Sequence, residues 1–317
     1  MSTNALPIDR PAPGPAALAT ADPGAPTVAS ARRGVLAYLL LLVVLTAMVD
    51  AAIFATGQRA LFMVLMWMPA LASILVRLVR REGFADVSFR FGGRRTWVAL
   101  LLALLLPFAV GLVAYGLAWS IGLATFAPPA TLPLLGDVSG LGPAVRFLLL
   151  TGVILVAVLP VALVTATGEE IGWRGYFVLR LLDARVPHAI AVSGVIWGLW
   201  HVPLIVTGLY AAGPNPLLSA AIFIVMVVAI TVPMSWARLA TGSIWPAAFL
   251  HGAWNTIIQG AFDPSTVGPN ALVWTGESGV LTAATLAVLA VLISRQHWPV
   301  LRTPPRPGVA SVFSDRR

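Results

Sequence analysis

The sequence predicts an all-α polytopic membrane protein with about eight transmembrane helices and both termini in the cytoplasm. Of its 317 residues, 59% are hydrophobic and only 10% are charged, whereas about 25% are charged in a typical globular protein. Apolar runs of about 20 residues, the length a helix needs to cross the hydrocarbon core, follow one another along the chain. Arginines collect in alternate links between these runs, which is the pattern of cytoplasmic loops.

The chain divides into a membrane domain and two tails. Residues 1–33 are rich in Ala, Pro, Gly and Thr, and such a segment buries too little surface to offset the entropy cost of ordering, so we expect a disordered cytoplasmic tail. We do not expect a signal peptide, because the apolar region starts only after an Arg-Arg pair. The transmembrane domain is expected over 34–294, with its motifs within 168–255. An Arg/Pro-rich cytoplasmic tail is expected at 295–317.

The eight expected spans are placed by their apolar content. They lie near residues 34–56, 60–79, 97–123, 144–166, 188–208, 217–237, 243–262 and 271–294. The loops expected outside, at 124–143, 209–216 and 263–270, contain no arginine, and only Arg59 lies on the wrong side. Eight spans therefore follow the positive-inside rule, whereas seven spans would place several arginine clusters outside.

The fourth span is the least regular of the eight. Residues 144–183 would form about 60 Å of continuous helix at 1.5 Å per residue, which is too long for one straight crossing. We expect a break at Pro160 or Gly168. Non-helical backbone at membrane depth is tolerated only where protein encloses it or where it lines a cavity.

The composition also excludes several classes of function. All twenty basic residues are arginine, and the net charge is +8. They lie between apolar runs rather than on a basic face interleaved with aromatics, so we expect no nucleic-acid partner. The absence of cysteine excludes disulfides, thiol catalysis and cysteine metal ligands. Because the Ala-, Pro- and Arg-rich composition hints at a GC-rich genome, we expect an integral protein of a bacterial plasma membrane.

Two adjacent carboxylates and an arginine follow directly on the fourth apolar run. Charged side chains at membrane depth are costly, so they are rare and usually functional. Glu170 and Arg174 have the i,i+4 spacing of a helical ion pair, and the simplest interpretation is that they neutralise each other. Glu169 has no such partner, because its i+4 position is Trp173. A desolvated carboxylate without its own cation suits a general base.

A histidine lies in the middle of the fifth expected span. Trp197 and His201 are four residues apart and therefore share one helix face. A lone histidine in an apolar helix is more often a core residue with a satisfied hydrogen bond. Its mid-span position, in a chain with only four histidines, nevertheless favours function. The tryptophans by themselves are typical of packing or lipid-interface positions.

A second histidine, His251, lies in the seventh expected span, four residues before Asn255. This spacing points the imidazole and the carboxamide to the same side of the helix. Gly252 between them allows another helix, or a substrate, to approach closely. The two side chains have donors for a developing oxyanion, but an interhelical hydrogen-bond pair is the simpler interpretation that must be tested against it.

The remaining polar candidates carry less weight. Asp50 is expected to be an interfacial acid near the outer end of the first span, although it could join a site. His188 and His297 lie at span ends, where a polar ring is unremarkable. The sequence has no His-Glu-x-x-His run, no Gly-x-Ser-x-Gly serine elbow and no phosphate-binding glycine loop. One glutamate and two histidines far apart in the sequence are therefore the only catalytic set that the sequence indicates.

Together these motifs resemble those of the CPBP intramembrane proteases of the Abi family, which include the type II CAAX prenyl endopeptidases. The motif residues, in order, are Glu169-Glu170-x-x-x-Arg174, Trp197-x-x-x-His201 and His251-x-x-x-Asn255. The resemblance covers about residues 145–260. It departs from the family pattern at Trp197, where phenylalanine is usual. The indole of Trp197 still supplies an aromatic ring at this position.

The resemblance implies a membrane-embedded endopeptidase. Glu169 and His201 would activate the attacking water in such an enzyme. His251 and Asn255 would stabilise the tetrahedral oxyanion. The substrate would be a membrane-associated peptide or protein, and prenylated CAAX proteins are the substrates of some relatives. The residues that would support the site are Glu170, Arg174 and Trp197.

The cofactor and the class of function stay open at this stage. Glu169, His201 and His251 are candidate ligands of a catalytic zinc ion with an open coordination position, but the same groups can act by acid–base chemistry alone. The asparagine beside His251 favours the metal-free interpretation, since it suits an oxyanion better than zinc. A proton-coupled transporter, with the same three groups as a relay, and a non-catalytic scaffold or immunity protein are the alternative hypotheses.

Overall fold

The computed structural model describes residues 26–296, and helices account for most of them. The helices are α1 Val28–Thr56, α2 Leu61–Leu65, α3 Met68–Arg80, α4 Arg94–Ser120, α5 Pro143–Ala157, α6 Leu159–Gly172, α7 Val178–Asp183, α8 Ala189–Val206, α9 Pro216–Thr241, α10 Trp245–Trp254, α11 Ala271–Trp274 and α12 Val280–Ser294. Two π-helical segments, Trp173–Phe177 and Asn255–Phe262, continue α6 and α10, and a 3₁₀ turn follows at Asp263–Ser265. The all-α class is confirmed.

Residues with strong terminal signals set the ends of the long helices. Thr27 caps α1, because its Oγ1 accepts a hydrogen bond from the Ser30 amide at 3.2 Å. Gly57 ends this helix in the left-handed conformation, with φ of +65°. Since α1 begins at Val28, residues 28–33 of the expected tail are helical. The rest of that tail, at 1–25, and most of the C-terminal tail, at 297–317, lie outside the described residues.

Within residues 26–296, five helical stretches are long and apolar enough to cross a membrane when α2 and α3 count together as Leu61–Arg80. A bent pair formed by α5 and the helix 159–183 makes up to six. The count of eight spans and the cytoplasmic location of both termini stay predictions. The expected seventh span, 243–262, is an α-helix that continues as a π-helix. The expected eighth span is interrupted: α11 ends at Trp274, and α12, at 15 residues, begins only after the polar segment 275–279.

The break in the fourth span occurs at Pro160. Helices α5 and α6 meet at an angle of 56°, and Pro160 occupies the first turn of α6. Proline has no amide hydrogen and clashes with the carbonyl four residues earlier, so a helix bends just before it. The other expected site, Gly168, stays helical. It provides room instead, since a Cβ there would lie 2.8 Å from the Trp67 ring.

Close helix packing brings the motif-bearing helices together. A Cβ at Gly252 of α10 would lie 2.9 Å from the side chain and 3.1 Å from the amide nitrogen of Leu163 in α6. A Cβ at Gly198 of α8 would lie 3.1 Å from the Cα of Ile224 in α9. Glycine at these crossings lets the backbones approach, as is common between membrane helices. The close approach expected at Gly252 is confirmed.

Short strands join the loops at one end of the bundle. Strand β1 (Thr125–Phe126) pairs antiparallel with β4 (Thr266–Val267), and β2 (Thr131–Leu132) pairs antiparallel with β3 (Gly136–Asp137). Two of the loops predicted to lie on one side of the membrane therefore meet. We call this end of the bundle, which also holds residues 207–215 and 275–279, the Glu277 end. The end that holds residues 81–93 is called the Glu82 end.

Candidate active site

Glu170 and Arg174 form the predicted ion pair. Arg174 Nη1 donates to Glu170 Oε1 at 2.8 Å, and both side chains have 0% exposure. Arg174 Nη2 also donates to Thr231 Oγ1 of α9 at 3.0 Å. The guanidinium carbon lies 4.2 Å from the centroid of the Trp197 ring on α8. A fully buried pair of charges needs such additional partners, and here they tie α6 and the π-segment to two neighbouring helices.

Glu169, on α6, is held without an arginine. Its Oε2 accepts hydrogen bonds from two indole nitrogens, Trp197 Nε1 at 2.8 Å and Trp173 Nε1 at 3.3 Å. Its Oε1 lies 4.0 Å from Nε2 of His251. Only 1% of Glu169 is exposed. The carboxylate is therefore positioned by two neutral donors and faces an imidazole, which leaves one oxygen available for chemistry.

His251 lies between the two glutamates. Its Nδ1 is 3.0 Å from Glu170 Oε1, and since an ionised carboxylate can only accept, Nδ1 carries the proton. The 4.0 Å separation from Glu169 on the other side of the ring exceeds the length of a hydrogen bond. A separation of this size between two polar groups is one that a bridging water commonly spans.

His201 is anchored to its own helix. Its Nδ1 lies 2.9 Å from the carbonyl oxygen of Trp197, so Nδ1 is the donor and Nε2 of the neutral ring is an acceptor. The ring packs against Trp200, Tyr210 and Phe223, with centroid distances of 4.7, 5.6 and 4.9 Å. His201 thus has the satisfied hydrogen bond of a core histidine while keeping one nitrogen free to accept.

A small buried cavity, which we call the inner cavity, joins the two histidines. Its volume is about 20 Å³, which is enough for about one water molecule. His201, His251 and Asn255 line it, and Phe223, Met226, Ile230 and Met234 are among the apolar side chains that complete its wall. Glu169 does not line the cavity within the described part of the chain, but it contacts Trp197 and His251, which do.

Asn255 begins the second π-helical segment, directly after α10. Its Oδ1 accepts a hydrogen bond from Gln259 Nε2 at 3.4 Å. The acceptor of the carboxamide is thereby used, and its NH₂ donors are left for another partner at the cavity. The first π-segment, Trp173–Phe177, likewise contains a motif residue, Arg174, and single π-turns inside helices are frequent at functional sites.

These motif residues lie within one matched stretch of sequence. Residues 151–257 match the family model of the Rce1-like type II CAAX prenyl endopeptidases. The match covers about a third of the chain and contains the motif residues from Glu169 to Asn255. It confirms the resemblance that the motifs predicted, and it indicates a CAAX-protease type of membrane protein. No curated protein matches the chain.

Zinc was one of the two possibilities for a CAAX-protease-like site. Within residues 26–296, no three His, Asp or Glu side chains form a group that could hold a metal ion. Among these residues, Oε1 of Glu169 and Nε2 of each histidine stay unbonded, and an Nδ1–H donated to a carbonyl or a carboxylate is usual in metal-ligating histidines. The positions of Glu169, His201 and His251, rather than their hydrogen bonds, are therefore what does not fit a three-ligand zinc site.

The weaker candidates lie away from these residues. Asp50 is buried on α1 and does not line the inner cavity. His188 is exposed at the start of α8. His297 lies outside the described residues. The structure thus brings together the four residues predicted as catalytic and leaves Asp50 and His188 elsewhere.

Among the residues of the inner cavity that were not predicted from sequence, two form a hydrogen-bonded pair. Tyr210, just after α8, and Glu277, just before α12, both line it. Tyr210 donates its hydroxyl hydrogen bond to Glu277, and Gln259 Nε2 donates to the Tyr210 hydroxyl oxygen at 3.3 Å. One signal did exist in the sequence: Glu277 is one of only four glutamates in a strongly apolar chain, and such acids are rarely incidental.

Proposed function

We propose that this protein is a membrane-embedded endopeptidase that hydrolyses a peptide bond with one water molecule. The observation that supports it most directly is the inner cavity, with room for about one water. Two histidines and an asparagine line this cavity, and a buried glutamate lies 4.0 Å from the nearer imidazole. Carboxylate, imidazole and carboxamide groups are the set that general-base hydrolysis requires.

Glu169 is the proposed general base. Its free Oε1 takes a proton from the water, and the oxygen of that water forms a bond to the carbonyl carbon of the substrate. His201 orients the same water, because its Nε2 can accept the second hydrogen. The proton held by Glu169 then passes to the amide nitrogen as the carbon–nitrogen bond breaks, so the carboxylate returns to its starting form.

His251 and Asn255 are the proposed oxyanion donors. Nδ1 of His251 lies 3.0 Å from Glu170 Oε1 and its Nε2 is turned toward Glu169, so a protonated ring donates from Nε2–H to the oxygen of the tetrahedral intermediate. The NH₂ group of Asn255 provides a second donor, since its Oδ1 is occupied by Gln259. Preorganised donors of this kind stabilise the transition state in a site with little water. The supporting residues are Glu170, Arg174 and Trp197.

The substrate class proposed is a membrane-associated peptide with apolar side chains near the scissile bond. Phe223, Met226 and Ile230 of α9 form an apolar wall of the inner cavity, and such a wall suits apolar rather than charged groups. The family match, whose description names prenyl endopeptidases, supports a prenylated CAAX-type peptide as the first substrate to test.

Cleavage of a fluorogenic farnesylated CAAX peptide by the purified protein in lipid nanodiscs tests the proposal. Glu169→Gln should lower kcat by about 100- to 10,000-fold, the usual contribution of a general base. Asp50→Asn is the matched control, because it removes another buried acid that does not line the cavity, and it should cleave at the wild-type rate. Wild-type activity in Glu169→Gln would contradict the proposed base.

The same cleavage assay, repeated after treatment with a chelator, tests whether the enzyme requires a metal. The expected result is full activity after extensive treatment with chelator. Activity that is abolished by chelator and restored by zinc would contradict the metal-free mechanism. Proton flux in proteoliposomes without peptide cleavage would instead support the transporter hypothesis.

A further inference from the structure

The inner cavity is small, yet hydrolysis consumes one water in every turnover. Its volume of about 20 Å³ holds about one water. His201 and His251, on opposite helices, are both more than nine-tenths buried. A route for water must therefore exist, and the requirement for one rests on the proposed hydrolytic function.

A larger crevice lies next to the inner cavity at the Glu277 end. Its volume is about 340 Å³, many times that of the inner cavity. It is lined by residues 208–212 and by residues 275–278, with Gln259, Asp263 and Leu272 completing its wall. Carboxyl, carboxamide and hydroxyl groups therefore face this space, and polar groups of this kind hold water in place.

Tyr210 and Glu277 line both the crevice and the inner cavity. Residues shared by two neighbouring spaces form the partition between them. The Tyr210 hydroxyl donates to Glu277 Oε2, and Trp254 Nε1 donates to Glu277 Oε1 at 2.8 Å. The partition is thus a hydrogen-bonded polar contact, whereas the wall formed by α9 is apolar.

The two loops that carry this pair are tied together by a second contact. Ser278 Oγ donates to the carbonyl oxygen of Ala211 at 2.6 Å. Ala211 has a φ of +42°, a left-handed conformation that is uncommon for a residue with a Cβ and that the surrounding structure must hold. These contacts hold the two loops, and with them the Tyr210–Glu277 hydrogen bond, in one defined conformation.

The partition is also connected to the proposed oxyanion site by hydrogen bonds of Gln259. Gln259 Nε2 lies 3.3 Å from the Tyr210 hydroxyl and 3.4 Å from Asn255 Oδ1. One side chain therefore contacts both the partition and the asparagine. When Tyr210 moves, the hydrogen bonds of Gln259 rearrange, and the lost contacts can be replaced by water arriving from the crevice.

We propose that Tyr210 and Glu277 form a gate through which water passes from the crevice at the Glu277 end into the inner cavity. Opening requires that the hydroxyl–carboxyl hydrogen bond breaks and that the half-buried Tyr210 ring turns toward the crevice. Tyr210 and Glu277 are positioning residues in this role, and neither is assigned a part in bond cleavage.

The absence of cysteine from the sequence allows a direct test in the full-length protein in nanodiscs. Met226→Cys places one thiol in the wall of the inner cavity, and Ile230→Cys is the second choice if the first variant does not fold. The rate of modification by a small water-soluble methanethiosulfonate is measured by mass spectrometry. Tyr210→Phe removes one hydrogen bond of the gate and should raise this rate about fivefold.

A blocking step identifies the route. Ala212→Cys, combined with Met226→Cys, places a second thiol in the crevice, and a polyethylene glycol maleimide too large for the inner cavity is attached there first. The inner thiol should then react at least about tenfold more slowly. The matched control is Ala85→Cys, an exposed position at the Glu82 end, where the same block should leave the rate unchanged.

Two outcomes overturn the gate. One is an inner thiol whose reaction rate is unaffected by both Tyr210→Phe and the block at position 212. The other is equal slowing by the blocks at positions 212 and 85. Both readouts are independent of catalysis, so a protein that cleaves no peptide refutes the proposed function while the labelling still decides the route of water.

Discussion

The two ends of the bundle satisfy their acids in opposite ways. At the Glu82 end, Glu82, Asp86 and Asp183 all contact one arginine: Arg180 lies 3.1, 2.6 and 2.8 Å from them, respectively. At the Glu277 end, the acids are held by neutral groups. Tyr115 donates to Asp263 at 2.5 Å, and Tyr210 and Trp254 donate to Glu277.

The difference appears in the proton affinity of each carboxyl group. Burial alone would raise the pKa of Glu82, but the hydrogen bond from Arg80 and the charge of Arg180 outweigh it and lower that pKa. Burial raises the pKa of Asp263 to about 7, because the hydrogen bond from Tyr115 is not enough to offset it and the charge of Glu277 adds to it. An acid paired with arginine keeps its charge, whereas one held by a phenol can change charge near neutral pH.

Each end is therefore suited to a different task. Several arginine–carboxylate contacts fix residues 81–93 against α7 and the first π-segment, which carries Arg174. At the Glu277 end, the hydrogen bonds from phenol and indole groups can be exchanged for hydrogen bonds to water at little cost in free energy. The site proposed for catalysis lies between the two, and Glu169 resembles the acids of the Glu277 end, since two indoles hold it.

The largest effect is expected from a substitution that breaks the arginine network of the Glu82 end. Arg77 is 1% exposed and contacts Asp86 at 2.5 Å and the Gly175 carbonyl at 2.8 Å. Arg77→Ala removes the buried partner of a half-exposed ion pair and leaves the buried Gly175 carbonyl without its donor, so it should lower the free energy of unfolding by about 3 kcal/mol. Arg95→Ala, at an exposed position in the first turn of α4, is the control, with a change within about 0.5 kcal/mol. Equal effects of the two substitutions, measured by thermal unfolding, would contradict the distinction between the ends.

The second effect is a dependence of stability on pH at the Glu277 end. The pKa of Asp263 is raised from 3.8 to about 7 in the folded protein, so the folded state binds the proton more tightly than the unfolded state. The stabilisation is fully present below pH 3.8, and it is lost as the pH rises through about 7.

Asp263→Asn removes this titration while keeping an acceptor for Tyr115. The wild type should lose stability relative to the variant between pH 5 and 7, by at most about 1.4 kcal/mol per pH unit, and the difference should level off above pH 7. Unfolding midpoints from tryptophan fluorescence would measure it. A constant difference between the two proteins across this range would show that Asp263 keeps its charge.

Much of the fold followed from local patterns along the chain. Apolar runs located the helices, the bend lies at Pro160, one of its two expected sites, and the i,i+4 spacing of Glu170 and Arg174 located their ion pair. Patterns of this kind report which residues share a helix face. They do not report a break that depends on a distant partner. Residues 275–279 were therefore assigned to a continuous span, although Glu277 is held there by Tyr210, 67 residues earlier in the chain.

The residues of the candidate site could be proposed from the sequence, but their contacts could not. Glu169 was expected to act with His201, yet the imidazole that it faces is His251, at 4.0 Å. Helix spacing in the sequence carries no information about which of two histidines on other helices lies nearer. The π-segments at Trp173 and Asn255 were missed for a related reason, because a π-turn depends on tertiary packing rather than on a distinctive residue.

The smallest expected effect concerns the neutral donors of Glu169. Trp197→Phe supplies the residue usual in the family and keeps the aromatic ring beside His251, but it removes the shorter of the two indole hydrogen bonds. The bond from Trp173 at 3.3 Å remains, so kcat/KM for peptide cleavage should fall only about tenfold. Trp119→Phe, which removes an indole hydrogen bond to Thr266, is the control and should cleave at the wild-type rate. Equal activity of both variants would mean that Trp173 alone positions the carboxylate, and a loss of more than about 1,000-fold would mean that the indole of Trp197 acts on the reacting groups themselves.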